Sequence, residues 1–536
     1  MATTYLHPGV YIQEVPGART IQGASTSTAA FVGVTEKGPI NQPTLITSWN
    51  AYQRQFGGLI WNGMVPWAVF EFFNEGGTSC YISRVADSKG TGKPATASAD
   101  GIKITAATPG TWASNNLAFL ISNASGPDNA QSVVFNLSIV IDPTALDAIT
   151  ATSPAATLKA YVAQNGLQPT PIAGKSYVVL ESYNGYTATN MSTALNNAIN
   201  TNSMFVRADI TGSARPSNKA TTLTAGAAVT WNFEDAWKPL QTVQGLSLLS
   251  IPDTVNATDA SGNPSKALQA TLINNALLFC EGVAMRNLFY VCDPQYGLSV
   301  QDVQGFKLGS SAGGTPVPAL NSSYGAIYYP WVWIYNSIAG ANVPIPASGP
   351  VLGRYAYTDG NVGVWKSPAG VDDGALKSVV QTDTPLTDAD QDALNPNGIN
   401  AIRNFLGYGN VIWGARTLIA PGSEWTYVSV RRLFIYVEQS LKQSLQWVVF
   451  EPNDQQTWAS VTRDITAFLT SLWQAGGLFG ASATEAFFVT CDESNNPPET
   501  RAQGQMYIDV GLAPVYPAEF VVIRMTQKTA GPDSGS

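Results

Sequence analysis

A strand–helix–strand pattern at 246–292 is the sequence feature that most restricts the fold. Residues 246–251 (LSLLSI) form a short apolar, β-prone run, and residues 287–292 (NLFYVC) form a second one. The segment 266–286 between them predicts a helix with an apolar stripe of Leu268, Leu272, Ala276 and Phe279. A helical connection lets two strands run parallel, so we predict a βαβ unit. The chain must then contain a parallel sheet covered by helices.

The low charge content indicates that much of the surface is uncharged. Asp, Glu, Lys and Arg make up 12% of the 536 residues, whereas about 25% is usual. The net charge of −9 argues against a free-standing nucleic-acid-binding protein, because such a protein needs a dense basic surface. A long chain with few charges favours a protein that buries its surface against other subunits.

Changes in composition divide the chain into domains. Residues 26–95 contain two buried-strand patterns and a helix, and we expect them to form the first part of an α/β core. From 96 to 240 Ala, Thr, Ser and Asn dominate and short β-prone runs recur, which predicts an inserted, mostly-β domain of the sandwich type. Residues 241–390 form a middle α/β domain around the βαβ unit. Residues 391–515 form a C-terminal domain with two amphipathic helices and two strands.

Both ends of the chain carry a short apolar run beside polar residues, and we predict arms at 1–25 and 516–536. The apolar residues of the N-terminal run are Val10, Tyr11, Ile12 and Val15. Those of the C-terminal run are Phe520, Val521, Val522 and Ile523. The small, polar residues 17–30 suit an extended or flexible connector. Each strand either joins a sheet of its own subunit or adds to a sheet edge of a neighbouring subunit, and the sequence leaves both arrangements open.

The predicted fold class is therefore a multidomain α+β protein. Its α/β core is built from N- and C-terminal parts of the chain and is joined to a βαβ-containing middle domain. A β-sandwich-like domain is inserted between them, and extended arms lie at both ends.

Residues that catalysis or metal binding would need are scarce. His7 is the single histidine, and none of the four cysteines has the spacing of a metal site. Residues 309–313 read G-S-S-A-G, which fits the G-x-S-x-G spacing of a hydrolase with Ser311 as nucleophile. The histidine that would activate this serine lies in the N-terminal arm. We expect no enzymatic activity, no cofactor and no metal, and a serine hydrolase remains only a rival hypothesis.

The helix predicted at 428–446 is locally basic in an acidic chain. It carries Arg431, Arg432 and Lys442 against the single acidic residue Glu438. A solvated helix face accounts for these charges. They also suit a docking face for an acidic partner, and the three basic residues are the candidates for such docking.

Several long sequence motifs are specific enough to indicate a resemblance to a known protein family. YLHPGVYIQEV at 5–15 and STSTAAFVGVTEKGPINQPTLITSW at 25–49 come first. The most specific motifs are LNPNGINAIRNFLGYGNVIWGART at 394–417 and YVSVRRLFIYVEQSLKQSLQWVVFEPND at 427–454. Together they resemble the tail sheath proteins of contractile phage tails and related contractile injection systems. Residues 118–240 match no family motif.

The resemblance implies a structural protein that assembles with copies of itself. Proteins of this family polymerise as a six-start helix around an inner tube, and their terminal arms complete the sheets of neighbouring subunits. The C-terminal domain faces the tube, and inserted domains point outward. A signal from the baseplate triggers contraction, which drives the tube through the target envelope. The implied partners are the inner tube, the baseplate and terminator or cap proteins, without direct contact to nucleic acid or membrane.

The sequence therefore predicts a contractile sheath subunit in the virion tail or in an assembled injection particle. The N-terminus lacks the basic and apolar regions of a signal peptide, so we expect synthesis in the cytoplasm of the producing bacterium. The alternative is a non-contractile structural protein of a virion or capsid.

Overall fold

An eight-stranded sheet forms the centre of the fold in the computed structural model. In spatial order its strands are Thr44–Ile46, Cys80–Arg84, Ala29–Gly33, Leu248–Ser250, Phe289–Cys292, Gly325–Tyr329, Ile399–Phe405 and Gly409–Ile412. The six inner strands are parallel, and each outer strand is antiparallel to its neighbour. The structure describes residues 20–125, 132–151, 153–172, 174–259, 261–282, 286–310 and 315–524.

The predicted βαβ unit is confirmed. Strands Leu248–Ser250 and Phe289–Cys292 are parallel neighbours, and the helix Lys266–Glu281 connects them. The helix begins after Ser265, whose side chain accepts a hydrogen bond from the backbone N–H of Leu268, as an N-cap should.

One sheet unites segments that the sequence analysis assigned to separate domains. Strand Ala29–Gly33 pairs in parallel with Cys80–Arg84 on one side and with Leu248–Ser250 on the other. The predicted boundary at 241 therefore lies inside one unit, and the strands of 399–412 extend the same sheet beyond the boundary at 391. The reason is that Ala29–Gly33 is buried along its whole length, so its backbone groups need paired strands on both edges.

Helices and a small sheet complete the central unit. The helices Val65–Asn74 and Ser348–Asn361 pack closely. Gly349 allows this approach, because a Cβ atom at its position would collide with the backbone of Ala68. The other helices of this unit are Trp49–Phe56, Lys266–Glu281, Val300–Leu308, Gly370–Asp373 and Asp388–Leu394, with short 3-10 turns at Pro252–Asn256 and Asn395–Asn397. A three-stranded sheet contains Val332–Asn336, Ala341–Ile345 and Val379–Thr382.

The inserted segment is built mainly from antiparallel strands. Its five-stranded sheet has the order Ala220–Thr222, Leu117–Asn123, Phe135–Ile141, Lys175–Tyr186, Pro169–Ile172. Its three-stranded sheet has the order Val206–Ile210, Ile102–Ala106, Thr96–Ala99. Its helices are Pro143–Ala148, Ala156–Gln164, Met191–Leu195, Asn196–Asn202, Phe233–Trp237 and Lys238–Thr242. Strands Ala86–Asp87 and Trp231–Asn232 pair where the chain enters and leaves the insertion.

The C-terminal unit, residues 428–524, has two long helices and a hairpin. The helices Val428–Ser444 and Gln455–Gln474 pack on the hairpin strands Phe487–Thr490 and Asp509–Leu512. Short helical turns lie at Gln446–Val448, Ala483–Ala486 and Pro498–Ala502. Among the described residues, no helix has both the length and the apolar character that a membrane span requires.

Asp253 joins three elements of the central unit from a fully buried position. It follows strand Leu248–Ser250, and its two carboxylate oxygens accept the backbone N–H groups of Val34 and Met64, both at 2.7 Å. Val34 ends the strand Ala29–Gly33, and Met64 is the N-cap of the helix Val65–Asn74. A carboxylate at this end of a helix is stabilised by the free N–H groups and the helix dipole.

Asp293 has the same role one strand further along the sheet. It follows strand Phe289–Cys292 and accepts the backbone N–H of Ser348 at 2.8 Å, where the helix Ser348–Asn361 begins. Two buried aspartates at the carboxyl ends of adjacent parallel strands thus hold the two helices that pack on each other.

We predict that Asp253→Asn destabilises the subunit. The amide group that replaces one carboxylate oxygen cannot accept from a backbone N–H, so one buried donor loses its partner, at about 1–3 kcal/mol. Denaturant unfolding at pH 8 measures the change. Asp259→Asn is the matched control, because a single oxygen of exposed Asp259 accepts both of its backbone N–H groups and an amide oxygen can do the same. Equal losses in the two variants would contradict the assignment.

We also predict that the subunit becomes less stable from pH 5.5 to pH 8. Burial raises the pKa of Glu71, Asp253 and Asp293 to about 7 each, whereas unfolded carboxyls titrate near about 4. Between these values the folded state holds protons that the unfolded state has released, so the stabilisation is lost as pH rises through about 7. Unfolding free energies at the two pH values test this. Glu71→Gln should flatten the slope, and a rise in stability towards pH 8 would contradict it.

Candidate functional site

The N-terminal part of the described chain runs along the helix Val428–Ser444. Ile21 is buried in the core of the C-terminal unit. The backbone N–H groups of Gln22 and Ala24 donate to the hydroxyls of Ser444 (3.2 Å) and Ser440 (2.9 Å). The connector over 17–30 was predicted to be extended or flexible. From residue 21 onward, hydrogen bonds and apolar burial fix the chain to this helix, which corrects the flexible alternative there.

Gly23 is needed for this close approach. A Cβ atom at residue 23 would collide with the phenol ring of Tyr436 on the same helix. Upstream of this contact, the predicted arm residues Val10, Tyr11, Ile12 and Val15 lie outside the described residues, as does His7.

Residues 515–524, the end of the described chain, join no sheet of the described part of the subunit. Phe520, Val521, Val522 and Ile523 are 73%, 78%, 79% and 80% exposed. They pair with no strand in the part of the chain that the structure describes. Four consecutive exposed apolar side chains are unfavourable in water unless another molecule covers them.

Glu519 stands directly before this apolar run and is held by the body of the subunit. Its carboxylate accepts hydrogen bonds from Arg416 Nη2 (2.6 Å), Asn395 Nδ2 (2.8 Å) and the Tyr427 hydroxyl (3.2 Å). Burial raises the pKa of Glu519, but the hydrogen bonds from Arg416 and Asn395 outweigh it and leave the pKa below its ordinary value. The carboxylate is therefore charged at neutral pH.

A groove of about 860 Å³ separates the C-terminal segment from the body. Its walls include five aromatic residues, Trp365, Trp413, Tyr427, Tyr516 and Phe520. The rings of Tyr427 and Tyr516 meet edge to face with their centres 6.1 Å apart.

The hairpin of the C-terminal unit offers open strand edges. Phe487 packs into the core, whereas Phe488, the next residue on the same strand, is 59% exposed. Within the described residues no third strand pairs with Phe487–Thr490 or Asp509–Leu512. Unpaired edges of a two-stranded sheet can accept a further strand from another chain.

Arg432 is buried in an ion pair and does not form a docking surface. Its Nη2 lies 2.5 Å from Asp359 Oδ2 and 2.9 Å from the carbonyl oxygen of Thr26. The side chains of Arg432 and Asp359 are 3% and 1% exposed. The pair ties the C-terminal unit to the helix Ser348–Asn361 of the central unit and to the N-terminal segment.

Arg431 is also buried, between aromatic rings. Its guanidinium lies 3.6 Å from the ring centre of Trp425 and 4.6 Å from that of Tyr324. The sequence-based assignment of Arg431 and Arg432 to a docking face is corrected, because net charge along a helix does not reveal which charges are turned inward. Lys442 is exposed near the end of the same helix, and its part in docking stays a prediction.

The hydrolase motif lacks the structural setting that its chemistry needs. Ser311 lies outside the described residues. Gly309 follows the helix Val300–Leu308, whereas a nucleophile elbow follows a strand. No group of three or more His, Cys, Asp or Glu side chains among the described residues could hold a metal ion.

We predict that Arg432→Met destabilises the C-terminal unit, because it leaves the buried Asp359 carboxylate without its partner. Removing one member of a buried ion pair costs about 3–5 kcal/mol. Thermal and denaturant unfolding of the subunit measure the effect. Lys442→Met removes an exposed charge from the same helix and should change stability by less than about 0.5 kcal/mol. Unchanged unfolding of Arg432→Met would contradict the stabilising role of the buried ion pair.

Two family models match adjoining parts of the chain. Residues 311–418 match the phage tail sheath protein central domain, and residues 420–528 match the phage tail sheath C-terminal domain. The resemblance that the sequence motifs indicated is thereby confirmed. Both descriptions name a domain of the sheath protein, as the sequence motifs predicted.

Curated relatives match part of the chain. The tail sheath protein of Vibrio phage KVP40 is 30% identical over 247 residues, which are 45% of this chain and 36% of that protein. The tail sheath protein of Enterobacteria phage T4 is 24% identical over 214 residues, which are 40% of this chain and 32% of that protein. The matched part spans about a third of the length of these relatives.

A solved structure shares the fold over nearly the whole chain. The sheath complex of an extracellular contractile injection system, PVC, in the contracted state, matches with a TM-score of 0.55 and 23% identity. The match covers 98% of this chain and 99% of that chain. The mixed α/β multidomain fold is therefore that of a sheath protein.

Proposed function

We propose that this chain, which carries the central and C-terminal domains of the phage tail sheath family, is the structural subunit of a contractile sheath. The observation that carries the proposal is the pair of adjoining domain matches over 311–418 and 420–528. They cover the last strands of the central sheet and the whole hairpin of the C-terminal unit. The fold likeness to a contracted sheath over 98% of the chain supports the same role.

Subunits of this sheath join by strand exchange. The donor is the exposed apolar run 520–523, together with the N-terminal run that contains Val10, Tyr11, Ile12 and Val15. The acceptor is the open hairpin of a neighbouring copy. Main-chain hydrogen bonds along the hairpin edge hold the donated strand, and the apolar side chains of the donor leave water.

The polymer is a six-start helix around an inner tube, and it ends at a baseplate and a terminator protein. The C-terminal unit faces the tube, with Lys442 as its remaining docking candidate. Contraction is a rigid-body repacking of subunits, in which the donated strands stay paired and the chain beyond the fixed roots of the arms bends. No nucleotide or cofactor takes part, and the particle is a virion tail or an injection device.

We predict that Val521→Asp combined with Ile523→Asp abolishes polymerisation and leaves the monomer folded. Both side chains are exposed in the single subunit, so the charges cost little there, whereas they would be buried after strand exchange. Negative-stain electron microscopy of the purified protein, before and after mild acid or urea treatment, should show hollow tubes for the wild type only. Val133→Asp, at a 77% exposed position of the insertion, is the matched control and should form tubes.

Assembly of the purified protein on an inner tube separates the proposal from a non-contractile virion protein. Sheaths assembled on the inner tube should shorten and widen when they are triggered. Assemblies of constant length and diameter under every condition would favour the static alternative, and tubes formed by the double variant would contradict strand donation by residues 520–523.

A further inference from the structure

The C-terminal arm is hydrogen-bonded to the body of the subunit at a single described residue, which we call the arm root. Of the described residues 515–524, Glu519 is the one that hydrogen-bonds to the rest of the subunit. Arg416 approaches its carboxylate with both Nε and Nη2, which is the two-pronged geometry that gives an ion pair a fixed direction. Residues 520–523, immediately after it, are exposed and unpaired in the described chain.

The contacts of Glu519 continue into the central sheet. The backbone N–H of Arg416 donates to Asn400 Oδ1 at 2.7 Å, and Asn400 Nδ2 donates back to the carbonyl oxygen of Arg416 at 2.8 Å. Asn400 is fully buried in strand Ile399–Phe405 and also donates to the carbonyl oxygen of Ile327 on the neighbouring strand. Three polar residues therefore connect the arm root to two strands of the sheet.

The guanidinium of Arg416 is held on its other side as well. Its Nη1 donates to the carbonyl oxygen of Asn395 at 3.1 Å, and the side-chain amide of the same residue donates to Glu519. Arg416 and Glu519 are 16% and 18% exposed, so water screens their charges less than it screens a surface pair.

We propose that the Glu519 clamp, formed by Glu519 with Arg416, Asn395 and Tyr427, fixes the direction in which the C-terminal arm leaves the subunit and so positions residues 520–523 for donation. Glu519 is a positioning residue, and its role rests on the proposed strand exchange. Without the clamp, the last backbone-paired residue of the described chain before the arm is Pro514, which bridges to Leu478. The free chain between that point and residue 521 then grows from two residues to seven.

Flexible-chain scaling gives the size of this effect. The end-to-end spread at residue 521 rises from about 8 Å with the clamp to about 15 Å without it. The volume open to residue 521 grows with the cube of the ratio between the two spreads, which is about sixfold. The donor strand is diluted by the same factor, so the subunit concentration needed for polymerisation rises about sixfold.

The experiment uses full-length subunits with spin labels at Val521→Cys and at Ala467→Cys, an exposed position on the helix Gln455–Gln474. The four native cysteines are buried. Pulsed electron spin resonance should give a narrow distance distribution for the labelled wild type and one roughly twice as wide for Glu519→Ala. Sedimentation of unlabelled protein should show the sixfold rise in the concentration for tube formation.

Two further variants separate a failure of the clamp from a failure of strand exchange. Glu234→Ala breaks an exposed ion pair with Lys238 in the insertion and should leave both readouts unchanged. A variant that lacks residues 520–536 tests the donation itself: normal tubes from it would overturn the proposed strand exchange. If that deletion stops assembly while Glu519→Ala keeps the narrow distribution and the wild-type concentration, strand exchange stands and the clamp is overturned.

Discussion

The arrangement of the central unit depends on one buried carboxylate, that of Asp253. It faces the end of one strand, follows another and begins a helix, so three segments that lie far apart in sequence meet at its two oxygens. Gly33 has no side chain at this point because a Cβ atom would occupy the position of the carboxylate. Burying a charge is costly, and the backbone N–H groups offset that cost only while strand and helix keep this geometry.

The C-terminal unit is attached to the central unit by a helix whose side chains pack into the hydrophobic cores of both units. On the helix Val428–Ser444, Val428 and Ile435 belong to the main core, whereas Leu433 and Val437 belong to the core of the C-terminal unit. The Arg432–Asp359 ion pair and the Glu519 clamp add polar contacts at two further points. These contacts join the C-terminal unit to the central unit at three places within one subunit.

Sequence reasoning found the elements but not their partners. The strands and helix of the βαβ unit follow from local patterns, because an apolar run of four to six residues between turn residues suffices to predict a buried strand. The buried face of that helix was predicted in part: Ala276 is buried and Leu272 and Phe279 pack against the core, whereas Leu268 is 40% exposed. The fully buried Ile273, Leu277 and Cys280 were missed. The helix is apolar on several sides, so periodicity did not determine which side faces the sheet.

The ion pairs show more clearly that local sequence patterns do not reveal which distant residues meet in the fold. Arg432 and Asp359 are 73 positions apart, and Arg416 and Glu519 are 103 positions apart. No local pattern connects such residues, and a count of charges along one helix treats a buried arginine and an exposed lysine alike. The exposed run at 520–523 was found because its signal, four apolar residues beside a polar tail, is local.

The paired strands Ala86–Asp87 and Trp231–Asn232 hold the entry and the exit of the insertion together. The chain leaves the central sheet after residue 84 and re-enters it at residue 248, and the two crossings are bound side by side. Exposed loops of the insertion can therefore change in length without altering the strand order of the sheet. Its buried face belongs to the main core, so that face must keep its packing against the central unit.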